Sequence, residues 1–144
     1  DLVLKPELKN SNDKTYIICL SALEEQGVLD ANIAANIYKD FLEKENIKDI
    51  FYIKFHPFQS EKSKNIFKNS FKNFQFKILS DNFILEKEFV NGNNIVISIA
   101  SSLLIYAKKL NVNNKVIPLY KYTKKFIDNQ RYLIWENALN QYTD

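Results

Sequence analysis

Three short groups of polar residues in this sequence are of types that can act on an anionic substrate. The acid pair Glu24-Glu25 could supply a general base for a hydroxyl group. Lys54 and His56 lie two residues apart, so they share one side of an extended strand. They could stabilise a phosphate leaving group and donate a proton to it. The pair Ser101-Ser102 could bind that phosphate with its hydroxyls and with the free amides at the start of a helix.

Each group also has an ordinary alternative. A serine directly before a helix is often no more than an N-cap. A single histidine is often a surface residue, and Glu24 and Glu25 could be exposed loop acids. His56 nevertheless stands out, because imidazole is the only side chain here whose usual titration range lies near neutral pH.

The hydrophobic pattern predicts strands and helices that alternate along the chain. We predict a mobile end or linker over residues 1–14 and a folded domain over 15–144. The strands are short and almost wholly apolar, which is typical of parallel strands buried on both faces. The predicted strands span 15–20, 50–55, 74–79, 95–100 and 115–119, and the predicted helices span 31–44, 61–71, 84–90, 101–110 and 131–142.

This alternation predicts an α/β fold, a doubly wound parallel sheet of about five strands with helices on both faces. Pro118 in the last strand indicates a position near an edge. In such sheets ligands bind beyond the carboxyl ends of the strands. All three polar groups follow a predicted strand, so we expect them at this one edge.

Composition excludes several other classes. The 144 residues suit one domain, and no apolar run approaches the roughly 18 residues of a membrane span. Gly27 and Gly92, the only glycines, cannot form a dinucleotide fingerprint or a P-loop. One cysteine, which we expect to be buried, and one histidine make a disulfide framework or a structural zinc site improbable. All basic residues except Arg131 are lysines, which argues against sequence-specific nucleic-acid binding.

The three motifs, taken in order, resemble those of the bacterial sialyltransferases. Each motif lies at the end of a predicted strand. They are the segment Leu23-Glu24-Glu25-Gln26-Gly27, a Lys-x-His-Pro motif at 54–57, and the pair Ser101-Ser102. The chain is most similar to glycosyltransferase family 52, to which the capsular polysialyltransferases are related, over residues 16–119. The resemblance implies a Rossmann-like domain. It would be the C-terminal, nucleotide-binding half of a two-domain glycosyltransferase B fold.

The resemblance also implies roles for individual residues. His56 would be the general acid, or the proton-bearing partner of the phosphate in cytidine monophosphate (CMP). Ser101 and Ser102 would bind that phosphate, and Lys54 would support it electrostatically. Pro57 completes the motif, ends the strand and belongs to the same donor site.

Two further roles concern carboxylates. Glu25 would match the base that deprotonates the acceptor hydroxyl, and Glu86 would hold the cytidine ribose. The sequence departs from the family pattern at Gln26, which stands where the second acid is expected. Either Glu25 alone serves as the base, or the base function is lost.

The implied activity is inverting transfer of sialic acid from CMP-sialic acid to a hydroxyl of a bacterial surface glycan, as in lipooligosaccharide or capsule biosynthesis. No metal or other cofactor is implied. The implied location is the cytoplasm or the periphery of the inner membrane. Because the chain is long enough for one domain only, we expect either a second copy or an N-terminal domain to complete the enzyme.

Two non-catalytic alternatives stay open. A receiver-like module of a response regulator would use Glu24 and Glu25 after the first strand, with Asp81 as the phosphorylated residue. An interaction domain that has lost its activity would account for Gln26.

Overall fold

The structure is a computed structural model that describes residues 14–142. Of the linker predicted over residues 1–14, all but Lys14 lies outside the described residues. The described part contains one parallel sheet in the order β3-β2-β1-β4-β5. Its strands are β1 (Thr15–Cys19), β2 (Phe51–Lys54), β3 (Phe76–Ile78), β4 (Asn94–Ser98) and β5 (Lys115–Pro118).

Helices cover both faces of this sheet, so the predicted doubly wound α/β fold is confirmed. The first two helices belong to the hydrophobic cluster on one face, and the other three to the cluster on the opposite face. They are α1 (Ala31–Lys44), α2 (Glu61–Ser70), α3 (Leu85–Asn91), α4 (Ser102–Leu110) and α5 (Asn129–Leu139).

The central strands have the burial that their apolar sequences predict. Neighbouring Ile17 and Ile18 of β1 are both fully buried, although their side chains point to opposite faces of the sheet. Cys19, the free cysteine, is buried as expected. Burial raises the pKa of its thiol to about 12, which makes it unreactive at neutral pH.

Element ends differ from the prediction where tertiary packing decides them. β3 is shorter than residues 74–79, because it lies at the edge of the sheet and is largely exposed. β5, with Pro118, is the other edge strand, as expected. α5 begins at Asn129, because the Asp128 side chain caps it by accepting a hydrogen bond from the Arg131 amide.

The strand order creates a crevice at one edge. The chain runs outward from β1 to β2 and β3, then returns to place β4 on the other side of β1. The connections that leave β1 and β4 therefore diverge to opposite faces, and the gap between them is the usual ligand position in such sheets. Within residues 14–142, no helix has the length and apolar character needed to span a bilayer.

Candidate functional site

A cleft of about 320 Å³ lies at this carboxyl edge of the sheet. It brings together His56, which follows β2, and Ser101-Ser102, which follow β4. Polar groups from three separate loops thus converge on the space beside the crevice. The lining residues that bear on function are Ser21, Gln26, His56, Ala100, Ser101, Ser102, Arg131 and Trp135.

A tight turn holds His56 at the cleft. The Gln59 amide donates a hydrogen bond to the His56 carbonyl at 3.0 Å, with Pro57 at the second position of the turn. The buried Gln59 side chain accepts a second hydrogen bond, from the His56 amide, at 2.8 Å. Pro57 is exposed and does not line the cleft, so its visible contribution is to the turn.

The ring of His56 is oriented by its own turn. Its Nδ1 accepts a hydrogen bond from the Phe58 amide at 3.1 Å. A nitrogen that accepts cannot carry a proton, so the neutral ring carries its proton on Nε2. His56 is half-buried, and a hydrogen-bond donor at Nε2 suits an anionic ligand in the cleft.

Ser101 and Ser102 stand at the start of α4. The Ser101 Oγ accepts a hydrogen bond from the Leu103 amide at 3.1 Å, so Ser101 is the N-cap. Ser102 is the first helical residue, and its side chain is exposed. The helix start supplies the positive end of its dipole. Both expected roles, helix cap and anion site, are compatible here.

Two contacts hold the crevice together. The Ser21 hydroxyl donates to the Ala100 carbonyl at 3.1 Å and joins the segments that follow β1 and β4. The Tyr38 hydroxyl, on α1, accepts from the Ile99 amide at 2.8 Å. The chain that leads from β4 to Ser101 is therefore anchored on both sides.

Glu25 does not line the cleft. Its Oε2 accepts hydrogen bonds from the Ser60 amide at 2.9 Å and from the Ser63 hydroxyl at 2.6 Å. Loss of some hydration opposes ionisation, but these donors outweigh it and lower the pKa of Glu25. As placed, Glu25 secures the start of α2, and its basicity is reduced.

The two neighbours of Glu25 in the motif have different surroundings. Glu24 accepts a hydrogen bond from the Ala31 amide at 2.8 Å, at the start of α1. Gln26, at the position of the second acid in the motif, is the one of the three that does line the cleft. The cleft therefore receives an amide where the family pattern has a carboxylate.

Lys54 and Glu86 also lie away from the cleft lining. The Lys54 ammonium donates to the Ser80 and Asp81 carbonyls, both at 2.9 Å, and so ties β2 to the loop after β3. Glu86 is exposed in the first turn of α3. The structure therefore brings together His56, Ser101 and Ser102, but not Glu25, Lys54, Pro57 and Glu86, whose donor-site and catalytic roles stay predictions.

Arg131 and Trp135 line the cleft from α5, and sequence reasoning missed them. The sequence does contain a signal. They are the single arginine and the single tryptophan, four residues apart, which places them on one side of a helix.

A larger groove of about 470 Å³ lies between α1 and the segment around residue 125. Its walls include Phe41, Tyr122 and Phe126, together with Asp40 and Lys125. It contains none of the predicted site residues. Convergent polar groups at a topological switch point favour the smaller cleft as the functional site.

Comparison with protein families decides which family this fold and cleft represent. A family model described as alpha-2,8-polysialyltransferase matches residues 4–120, most of the chain. The chain belongs to the alpha-2,8-polysialyltransferase family. The sialyltransferase resemblance of the motifs is confirmed at this level, whereas the assignment to glycosyltransferase family 52 and to a C-terminal domain stays a prediction.

Other comparisons give less. No curated protein matches the chain. Among solved structures, the chain is similar to UDP-GlcNAc 2-epimerase from Neisseria meningitidis, determined with bound UDP-GlcNAc. The TM-score is 0.47 at 10% identity over 86% of this chain. The chain spans about a third of that epimerase, 31% of its length.

The receiver-like alternative is wrong for this member of the polysialyltransferase family. Receivers have the strand order 2-1-3-4-5, whereas here β1 lies between β2 and β4. Asp81 follows the edge strand β3 rather than a central strand, and its carbonyl binds Lys54.

Proposed function

We propose that this chain forms the donor-binding part of a glycosyltransferase that moves sialic acid from CMP-sialic acid to a hydroxyl of a bacterial surface glycan. Family membership supports the class of reaction. The observation that carries the proposal is the convergence of His56 with Ser101-Ser102 in one cleft at the switch point of the sheet.

The start of α4 is the proposed phosphate site. The exposed Ser102 hydroxyl can donate to a phosphate oxygen, and the positive end of the helix dipole favours the negative charge. Ser101 contributes by capping the helix and by orienting its first turn. The cleft thus provides hydrogen bonds and a favourable potential where the leaving CMP gains charge.

His56 is the proposed donor to the leaving group. With Nδ1 held by the Phe58 amide, the ring presents N–H at Nε2. When the bond between sialic acid and phosphate breaks, an electron pair passes to the phosphate oxygen. The neutral ring can stabilise that oxygen with a hydrogen bond from Nε2. Transfer of a proton in general acid catalysis requires the imidazolium form, which carries a proton on both nitrogens and therefore gives up the contact between Nδ1 and the Phe58 amide.

Activation of the acceptor hydroxyl requires a base, and neither Glu24 nor Glu25 lines the cleft. In an inverting reaction, a carboxylate would take the hydroxyl proton as the acceptor oxygen attacks. Glu25 could do so only after it leaves Ser60 and Ser63, and Gln26 cannot accept that proton because its amide is not basic. We infer that Glu25 serves in a rearranged loop, or that a carboxylate outside this chain serves.

The acceptor glycan would need a binding surface of its own beside the donor cleft. We propose that an N-terminal domain or a second copy binds the glycan. Lipooligosaccharide or capsular chains would be the acceptors, and the reaction would then occur in the cytoplasm, at the inner face of the membrane. Lys54 and Glu86 would take part in donor binding only if the loop after β3 moves on binding.

Titration of the ¹⁵N-labelled chain with CMP tests the proposal directly. We expect the largest amide shifts around His56, Ser101 and Ser102, and any smaller shifts at the other residues that line the cleft. Inorganic phosphate should reproduce only the shifts at the start of α4, since it lacks the nucleoside. CMP shifts that are absent, or that map to the groove beside Tyr122, would contradict the donor site.

A further inference from the structure

Helix α5 brings the positively charged Arg131 to the cleft, and the proposed mechanism does not use this residue. Arg131 and Trp135 both line the cleft, and they lie one turn apart on the same side of the helix. Both residues lie beyond the stretch 4–120 that the family model matches. The family pattern therefore assigns nothing to them.

The guanidinium of Arg131 has no carboxylate partner within ion-pair distance among residues 14–142. Only its backbone amide is engaged, with the Asp128 side chain. Arg131 also lies in the first turn of α5, where the helix dipole disfavours a positive charge. An arginine in this position does not stabilise its own helix, so its charge is available to a ligand.

Trp135 fixes the position of this part of α5. It is half-buried and packs against the hydrophobic clusters on both faces of the sheet. It therefore lies where the two layers meet, at the edge that carries the cleft. Because Trp135 anchors the helix there, Arg131 is held at the cleft rather than on a freely moving segment.

We propose that Arg131 is a binding residue for anionic oxygens of the donor. This inference rests on the proposed function. The guanidinium fork matches a pair of oxygens on a carboxylate or a phosphate. CMP-sialic acid offers both groups on one carbon atom. The start of α4 can hold one of them from its own side of the cleft, and Arg131 can hold an oxygen pair from the side of α5.

The test compares Arg131→Gln and Arg131→Lys with the control Lys121→Gln. The control removes one positive charge from an exposed residue of the short 3-10 helix Tyr120–Thr123, outside the cleft. Affinities are measured by calorimetry for CMP, for a slowly reacting 3-fluoro analogue of CMP-sialic acid, and for inorganic pyrophosphate. Melting temperatures of all variants should match that of the unmodified chain, because the Arg131 side chain has no hydrogen-bond or ion-pair partner among residues 14–142 and Lys121 is exposed.

We expect Arg131→Gln to weaken binding of the 3-fluoro analogue at least about tenfold, as for loss of a charge-assisted pair. Arg131→Lys should retain part of the affinity that Arg131→Gln loses. The control Lys121→Gln should bind the analogue as tightly as the unmodified chain does. A loss for both CMP and the analogue assigns the phosphate, and a loss for the analogue alone assigns the carboxylate. Unchanged affinity of Arg131→Gln for all three probes would overturn the proposal.

Failure of the proposed function gives a different result. If CMP binds the unmodified chain no more tightly than pyrophosphate does, the donor assignment is wrong. A loss of pyrophosphate binding in Arg131→Gln would then still establish Arg131 as an anion-binding residue. If no probe binds the unmodified chain, both proposals are overturned.

Discussion

The Tyr38 hydroxyl accepts a hydrogen bond from the Ile99 amide at 2.8 Å, across 61 residues of sequence. Both partners are almost completely buried. Burial raises the pKa of Tyr38, so the hydroxyl is protonated at neutral pH. This bond joins α1 to the segment between β4 and Ser101 and so positions one wall of the cleft.

Replacement Tyr38→Phe removes the acceptor and leaves the Ile99 amide buried without this partner. We expect the free energy of unfolding to fall by about 1–3 kcal/mol, measured by urea denaturation. Amide shifts should change from Ala100 to Ser102. The control Tyr106→Phe alters a half-exposed tyrosine on α4 and should be nearly neutral. Equal stabilities of the two variants would contradict the anchoring role.

The two serines at the start of α4 should separate stability from binding. Ser101→Ala removes the N-cap and should lower the free energy of unfolding by about 1 kcal/mol. Ser102→Ala removes an exposed hydroxyl and should change stability by less than about 0.5 kcal/mol, yet weaken CMP binding. Thermal melts and CMP titrations measure the two effects. Normal CMP affinity in Ser102→Ala would remove that residue from the phosphate site.

Glu25 makes the stability of the protein depend on pH in the acid range. Because its pKa in the folded state is lowered below the ordinary value of 4.5, its contribution is fully present above that pH. The contribution is lost as pH falls through the lowered folded pKa. Since Glu25 is exposed, we expect an effect below about 1 kcal/mol.

Denaturation of Glu25→Gln at pH 7 and at about pH 3 tests this linkage. The variant should be less stable than the unmodified chain at pH 7, and the difference should shrink at the lower pH. Ser63→Ala removes one of the two donors and should reproduce part of the loss. A difference that grows as the solution is acidified would contradict the assigned contacts.

His56→Ala should abolish sialyl transfer in the complete enzyme while it preserves the fold. We expect a fall in kcat of at least about 100-fold, as for removal of a general acid. His56→Asn is the sharper variant, because its side-chain oxygen can still accept the Phe58 amide while it lacks the Nε2 donor. Release of CMP from CMP-sialic acid in the presence of an acceptor glycan measures the rate. Substantial activity in His56→Asn would remove the acid assignment.

Local patterns in the sequence were sufficient for most of the fold. The apolar runs around Ile17, Ile53 and Ile97 predict strands that are buried on both faces, because few other structures can bury such runs. Ser101 marks a helix start, since its side chain satisfies an amide only two residues away. The placement of His56 and the serine pair at one edge followed from the direction shared by parallel strands.

Tertiary structure alone decided which side chains reach the cleft. Nothing local distinguishes Glu25, held by Ser63 across 38 residues, from Gln26 beside it, which lines the cleft. Lys54 turns to the carbonyls of a loop 26 residues away, and Arg131 enters the site from a helix whose docking depends on both layers of the core. Such contacts depend on strand order and loop paths, which arise from the packing of the whole chain. Residue type and spacing specify how each segment folds, but not which segments meet.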